Sequence, residues 1–346
     1  MTRKPWWIAG MLAVISLSTA PARSEVFPGS QWQTRSPEQA GLRADMLQQL
    51  ADYAGGDGIV IRDGYQVYSW GDPSNRGDWA SASKPVLTTL LFLAADQGLC
   101  QIDQTIGDFM VGGTAKDRAI TFHHLASMTS GYSRGEGPGQ AWAYNDFAIN
   151  LYGYVLCEKV WGASPPDVVQ DQLAFLGFQD PVTIGTGQYG RVKAMSVRDF
   201  ARLGLFWLNR GQWDGEQVIP ESYFDLIAEP VPSGTPVTSS DGPESWDLGS
   251  FGGSDNQTSA GPGRYAMNFW VNVNNNQWPG RPTNVYHAAG HGGQKVCWIV
   301  PDMNVVVAGI GGGALGNAAA LDLILEANDS SPVTPVSWAE VKAMHR

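Results

Sequence analysis

The sequence predicts a mixed α/β (α+β) fold: an antiparallel sheet flanked by helices, with an inserted, mainly helical lobe. Three observations carry this expectation. "GIVIRDGYQVYSWGD" sets two β-rich runs around Asp63-Gly64, a dipeptide that favours a tight hairpin. "YAMNFWVNV", "KVCWIVPD" and "NVVVAGIGG" return to β-branched and aromatic runs in the last third. Between the two groups lie mostly helical patterns, so the sheet draws on both ends of the chain. The 346 residues, 43% hydrophobic and 16% charged, are enough for one large core.

Taken in order, "SPEQAGLRADMLQQLADYAGG" predicts a capped helix, with Ser36 and Glu38 at its start and Gly55-Gly56 at its stop. The hairpin around Asp63-Gly64 follows. From Pro85 to Gln97 nearly every face is apolar, the pattern of a buried central helix, and Pro85 is best tolerated in its first turn. Leu99 to Leu151 alternates short helical pieces with glycine-rich loops. "SVRDFARLGLFWLNRGQWDG" is an amphipathic helix with a glycine stop, and Pro230 to Pro282 predicts long loops over a cleft. "GIGGGALG" is a strand-to-helix turn, and "AAALDLILEAND" a final helix. The expected division is residues 23–80 and 185–346 for the mixed lobe and 81–184 for the helical one, together a single catalytic domain over 23–346.

"MTRKPWWIAGMLAVISLSTAPARSEV" has the form of an export signal: Arg3 and Lys4, an apolar run too short to span a bilayer, and a small-residue site at Ala20-Pro21-Ala22. Residues 1–22 are therefore expected to be removed, with the mature protein periplasmic or secreted and not inserted in a membrane. The net charge of −11 argues against nucleic acid or anionic membrane as a partner. Cys100, Cys157 and Cys297 allow one disulfide whose pairing the sequence leaves open; buried structural thiols are the expectation favoured here. The oligomeric state is not readable.

Ser81 precedes Lys84 by three residues at the mouth of the apolar helix, a spacing that one helical turn brings together. A serine hydroxyl needs a neighbouring base to become a nucleophile, and desolvation is what allows a lysine amine to serve as one. The competing reading is that Ser81 or Ser83 caps the helix while the lysine reaches solvent.

Together with the segments downstream, "SASK" resembles the S-x-x-K motif of the serine β-lactamases and penicillin-binding proteins. "ITFHHLASMTSGY", "WAYNDFAINLYGYVL", "SVRDFARLGLFWLNRGQWDGEQVIP" and "GHGGQKVCWIVPDMNVVV" are similar, in the right order, to segments of the class C β-lactamase-related branch, over about residues 30–325. The resemblance implies a β-lactamase/transpeptidase-like fold and acyl-enzyme chemistry without metal or organic cofactor. It implies Ser81 as nucleophile, Lys84 as general base and Tyr144 as proton shuttle. The backbone amides of Ser81 and Gln294 would form the oxyanion hole, and Asp146, His291, Gly292 and Gly293 would contact substrate.

Two residues depart from the family pattern: Asp146 stands where asparagine is commoner, and His291 where lysine is. An acid near Lys84 favours the charged amine. A mostly neutral histidine weakens the case for β-lactam or D-Ala-D-Ala substrates and fits esterase-like and nylon-oligomer-hydrolase-like relatives better. The expected substrate is thus a small ester, amide or peptide-like molecule. The rivals are a β-lactamase or carboxypeptidase of the same family and a non-catalytic ligand receptor. A zinc site on His287 and His291 is disfavoured, because "HAAGH" lacks a glutamate and sits in a turn entering a strand.

Overall fold

The computed structural model describes residues 26–186, 190–238, 240–250 and 260–328. The expected signal segment, residues 1–22, lies outside them. The principal sheet contains β1 (Asp57–Arg62), β2 (Tyr65–Trp70), β3 (Tyr265–Ala266), β4 (Phe269–Val271), β5 (Tyr286–Gly290), β6 (Lys295–Val300) and β7 (Val305–Ile310). Its order is β2-β1-β7-β6-β5-β4-β3, with antiparallel neighbours throughout. The two ends of the chain meet at β1 and β7, in register from Asp57 opposite Ile310 to Arg62 opposite Val305.

The longer helices are α1 (Ala44–Ala54), α2 (Lys84–Asp96), α3 (Asp146–Tyr154), α4 (Val197–Leu208) and α5 (Ala318–Glu326). Alternation along the central strands fills two cores. Val305, Val307, Val296 and Trp298 pack with Leu47 and Leu50 of α1 and Leu321 and Ile324 of α5. Val306, Ala308, Cys297 and Ile299 face the opposite core, shared with α2 and α4. Because both faces are covered, these strands read as continuous apolar runs.

Two elements differ from expectation. The helix predicted from Ser36 is a 3₁₀ turn at Glu38–Ala40 followed by a separate helix at Ala44–Ala54, since Gly41 takes a left-handed φ of 68° and breaks the ladder. The run "YAMNFWVNV" is a hairpin, because Met267 and Asn268 take positive φ of 46° and 67° between β3 and β4. Its tip plugs onto α2: the Thr88 hydroxyl lies 2.9 Å from both the Met267 carbonyl and Asn268 Oδ1.

All three cysteines are free and buried, so the one-disulfide option is corrected to three separate thiols. Burial raises the Cys100 thiol to about 11, that of Cys157 to about 12, and that of Cys297 as well.

Candidate active site

Ser81 sits half-buried in a 3₁₀ turn, Ala80–Ser83, that runs straight into α2. Trp79 anchors the turn: its ring stacks on Phe200 at 3.6 Å, and its indole N–H donates to the Met195 carbonyl at 3.0 Å. Ala80, immediately before the nucleophile candidate, takes φ of 46°, a conformation that costs a non-glycine residue energy. Its amide donates to Asp78 Oδ1 at 2.8 Å, and Arg191 grips the Asp78 carboxylate through Nε at 3.0 Å and Nη2 at 2.9 Å. Partial burial pushes the Asp78 carboxyl up, but the Arg191 guanidinium and the Ala80 amide together hold it below the usual range.

Neither serine caps the helix. Ser83 occupies the cap position, yet its hydroxyl accepts the Val192 amide at 2.9 Å. Lys84 does not reach solvent either: it is 3% exposed, and its Nζ donates to Ser81 Oγ at 2.8 Å. The same Nζ lies 3.5 Å from Asp146 Oδ1 and 4.7 Å from the centre of the Tyr144 ring.

Tyr144-Asn145-Asp146 meets this pair at the start of α3. Asn145 is the structural member: its carbonyl oxygen caps the helix by accepting the Phe147 and Ala148 amides, and its side-chain amide donates to the Tyr132 carbonyl at 2.6 Å. That leaves Asp146, in the first turn, to face Lys84. Tyr144 is buried, parallel to Trp270 at 6.3 Å and edge-on to Tyr265 at 6.1 Å.

The third element is the end of β5. A Cβ added to Gly290 would lie 2.6 Å from the Trp79 carbonyl oxygen, 2.8 Å from the Ala82 nitrogen and 3.0 Å from the Ser81 nitrogen. Only glycine lets the strand come this close to the nucleophile turn. His291-Gly292-Gly293 forms the turn from β5 to β6 rather than part of a strand, with exposed His291 at φ of 49°. The Gln294 amide, the second half of the expected oxyanion hole, lies in the same turn, 3.3 Å from the His291 carbonyl.

These elements enclose a cleft of about 710 Å³ lined by Ser81, Tyr144, Asp146 and the His291–Gly293 turn. Residues 43–311 match the family model described as Beta-lactamase. The chain belongs to the Beta-lactamase family. Among solved structures of this fold, a provisionally assigned 6-aminohexanoate-dimer hydrolase from Bacillus anthracis superposes with a TM-score of 0.58, at 16% identity over 88% of this chain and 86% of that one. A β-lactamase from Mycobacterium bovis gives 0.60 at 16% identity over 82% and 99% of the two chains. EstCE1, described as a hydrolase with promiscuous acyltransferase activity, gives 0.58 at 14% over 85% and 98%. An uncharacterized protein of Alkalihalophilus pseudofirmus is 23% identical over 183 residues, 43% of this chain and 53% of that one, so the chain spans about half of that relative's length.

Within the family frame, the structure brings Ser81, Lys84, Tyr144, Asp146, His291, Gly292 and Gly293 to one place. Sequence reasoning missed Arg191, Trp270 and Gln277, which also line the cleft. None of these carries a local motif; each arrives from a different loop or strand. His287, weighed only as a metal ligand, is instead packed between Trp278 and Trp298 on the cleft wall, with ring centres 4.7 Å and 4.3 Å away.

Proposed function

We propose that this Beta-lactamase family member is an exported serine hydrolase that cleaves a carboxylic ester or amide through an acyl-enzyme on Ser81. The observation that carries the reading is the 2.8 Å contact between Lys84 Nζ and Ser81 Oγ at the head of a buried helix, facing the cleft. When the Lys84 amine is neutral, its lone pair takes the Ser81 proton as Oγ attacks the substrate carbonyl. Asp146 stabilises the ammonium that forms. Negative charge on the carbonyl oxygen is met by the backbone amides of Ser81 and Gln294. Lys84, through Tyr144, returns the proton to the departing alcohol or amine, and water then releases the acyl group by the same steps in reverse.

His291 in place of a fixed cation supports an uncharged ester or amide over a β-lactam, and the cleft's arginine, Arg191, is occupied by Asp78. The test is a serine-directed phosphonate probe read by intact mass. One phosphonyl group should add to the wild type and none to Ser81→Ala; equal labelling of both removes Ser81 from the mechanism. Export is tested by cell fractionation, with a mature N-terminus after Ala22 as the expected result.

A further inference from the structure

Trp270 lines the cleft as an indole that the acyl-enzyme chemistry does not use. β4 pairs with β5 only through Tyr286 opposite Val271 and His287 opposite Trp270, so the ladder between them stops short of Gly290. Trp270 stands at that end of the ladder, where its half-buried ring meets Tyr144, the centres 6.3 Å apart and the planes 17° from parallel. Tyr265, its partner across the β3–β4 hairpin, packs edge-on against it at 5.0 Å and fixes the ring in place.

Much of the remaining lining is short or bare. Ala260 and Ala289 contribute only methyl groups. Gly293 and Gly316, in the turns that follow β5 and β7, contribute no side chain: a Cβ on Gly316 would lie 2.5 Å from Gly293 Cα, so the two turns meet only as bare backbone. The lining carboxylate and guanidinium are each engaged, Asp146 with Lys84 and Arg191 with Asp78. A flat apolar surface with open space beside it favours an uncharged ring.

Tyr144 decides which half of the substrate reaches this surface. In the hydrolytic reading, on which this inference rests, the Tyr144 phenol passes the proton to the departing alcohol or amine. The side chain packed along Tyr144 therefore borders the leaving group. We propose that Trp270 determines leaving-group specificity, taking an uncharged aromatic ring on the alcohol or amine side of the scissile bond. An aromatic ring gains from offset or edge-on contact with an indole beyond the area it buries, and an alkyl group of the same size does not.

The test holds the acyl-enzyme constant. Benzyl acetate and cyclohexylmethyl acetate both acetylate Ser81, so the ratio of their kcat/KM values reports the leaving group alone. The wild type should favour the benzyl ester about tenfold, and Trp270→Leu should bring the ratio close to one. Trp270→Tyr, which keeps a flat ring, should restore most of the preference. Ethyl phenylacetate against ethyl cyclohexylacetate moves the ring to the acyl side, and that ratio should not respond to Trp270→Leu. A wild type without benzyl preference, a preference that survives Trp270→Leu, or an equal change in the acyl pair overturns the proposal. Should Trp270→Leu not fold, saturation-transfer NMR on full-length Ser81→Ala protein decides: benzyl alcohol should receive several-fold more saturation than cyclohexylmethanol, and equal or absent transfer overturns the subsite. Wild-type protein that hydrolyses none of these esters, while Ser81→Ala binds benzyl alcohol selectively, overturns the hydrolase reading and leaves the subsite standing.

Discussion

Lys84 Nζ stands 2.8 Å from Ser81 Oγ and 3.5 Å from Asp146 Oδ1, so one buried amine contacts both the nucleophile and a carboxylate. Lys84→Met keeps most of the side-chain volume and removes the base. Acylation should slow by about 10²–10⁴-fold, the usual reach of a positioned general base, while substrate affinity changes little. Single-turnover kinetics with a nitrophenyl ester separates the two. A variant that keeps kcat and raises only KM would show that Lys84 binds substrate and does not activate Ser81.

Asp146 Oδ1 lies 3.5 Å from Lys84 Nζ, so its carboxylate stabilises the charge that develops on the amine as the Ser81 proton transfers. Asp146→Asn removes that charge. kcat/KM should drop about tenfold, a modest share of what a preorganised charge contributes. Equal kcat/KM in wild type and variant would place Asp146 outside the reaction.

Gly290 is the point where the sheet touches the nucleophile turn, and the three nearest atoms its missing Cβ would meet are all backbone. Backbone cannot rotate aside, so Gly290→Ala must push β5 away from Ser81 or tilt the turn. Either displacement separates the two amides assigned to the oxyanion, and losing one such donor costs about 10²–10³ in kcat. The expected outcome is that loss with unchanged far-ultraviolet circular dichroism. Near-wild-type activity would mean that the strand end does not position the oxyanion hole.

The Asp78–Arg191 pair makes a parallel case one layer further out. Asp78 holds the amide of Ala80, whose φ of 46° aims the turn that presents Ser81. Asp78→Ala releases this conformation and leaves Arg191 without its bidentate partner. kcat should fall about tenfold with KM nearly unchanged, as expected of a residue that positions the nucleophile without touching substrate. Asp78→Glu, which can still reach both partners, should restore part of the rate. Equal losses in the two variants would indicate a general loss of fold instead.

The residues legible in the sequence are those whose partners lie close by along the chain. Ser81 and Lys84 are one turn apart, Asp63-Gly64 closes its own hairpin, and the apolar run after Pro85 records its burial in its composition. The fold was legible because β6 and β7 are covered on both faces and read as unbroken apolar strands. Illegible features depended on distant contacts or on backbone sign. Nothing local in "YAMNF" shows that Met267 and Asn268 turn left-handed; that follows from the Thr88 hydroxyl and the Ala126 carbonyl waiting for the hairpin tip. Within "GHGGQ" the motif does not reveal that the first glycine, Gly290, is the one that touches the Ser81 turn. Gln277 and His287 reach the cleft lining beside Trp270 through contacts that no local pattern records.

His287 makes a prediction that needs no substrate. Packed between two indole rings, it resists protonation down to about pH 3, whereas the unfolded chain protonates it near the ordinary value of about 6.5. Between these limits the unfolded state holds one more proton, so stability rises with pH across the window and is lost as pH falls from about 6.5 toward about 3. Each pH unit inside the window corresponds to about 1.4 kcal/mol. His287→Phe keeps an aromatic ring between the tryptophans and removes the titration. Urea unfolding at pH 7 and pH 5 should therefore show the wild type losing on the order of 2 kcal/mol more than the variant over that interval. The difference between the two proteins matters here, because the other titrating groups are common to both and cancel. Parallel losses would mean that the imidazole gains a proton in the folded state, and that the tryptophan cage opens readily enough to let water reach it.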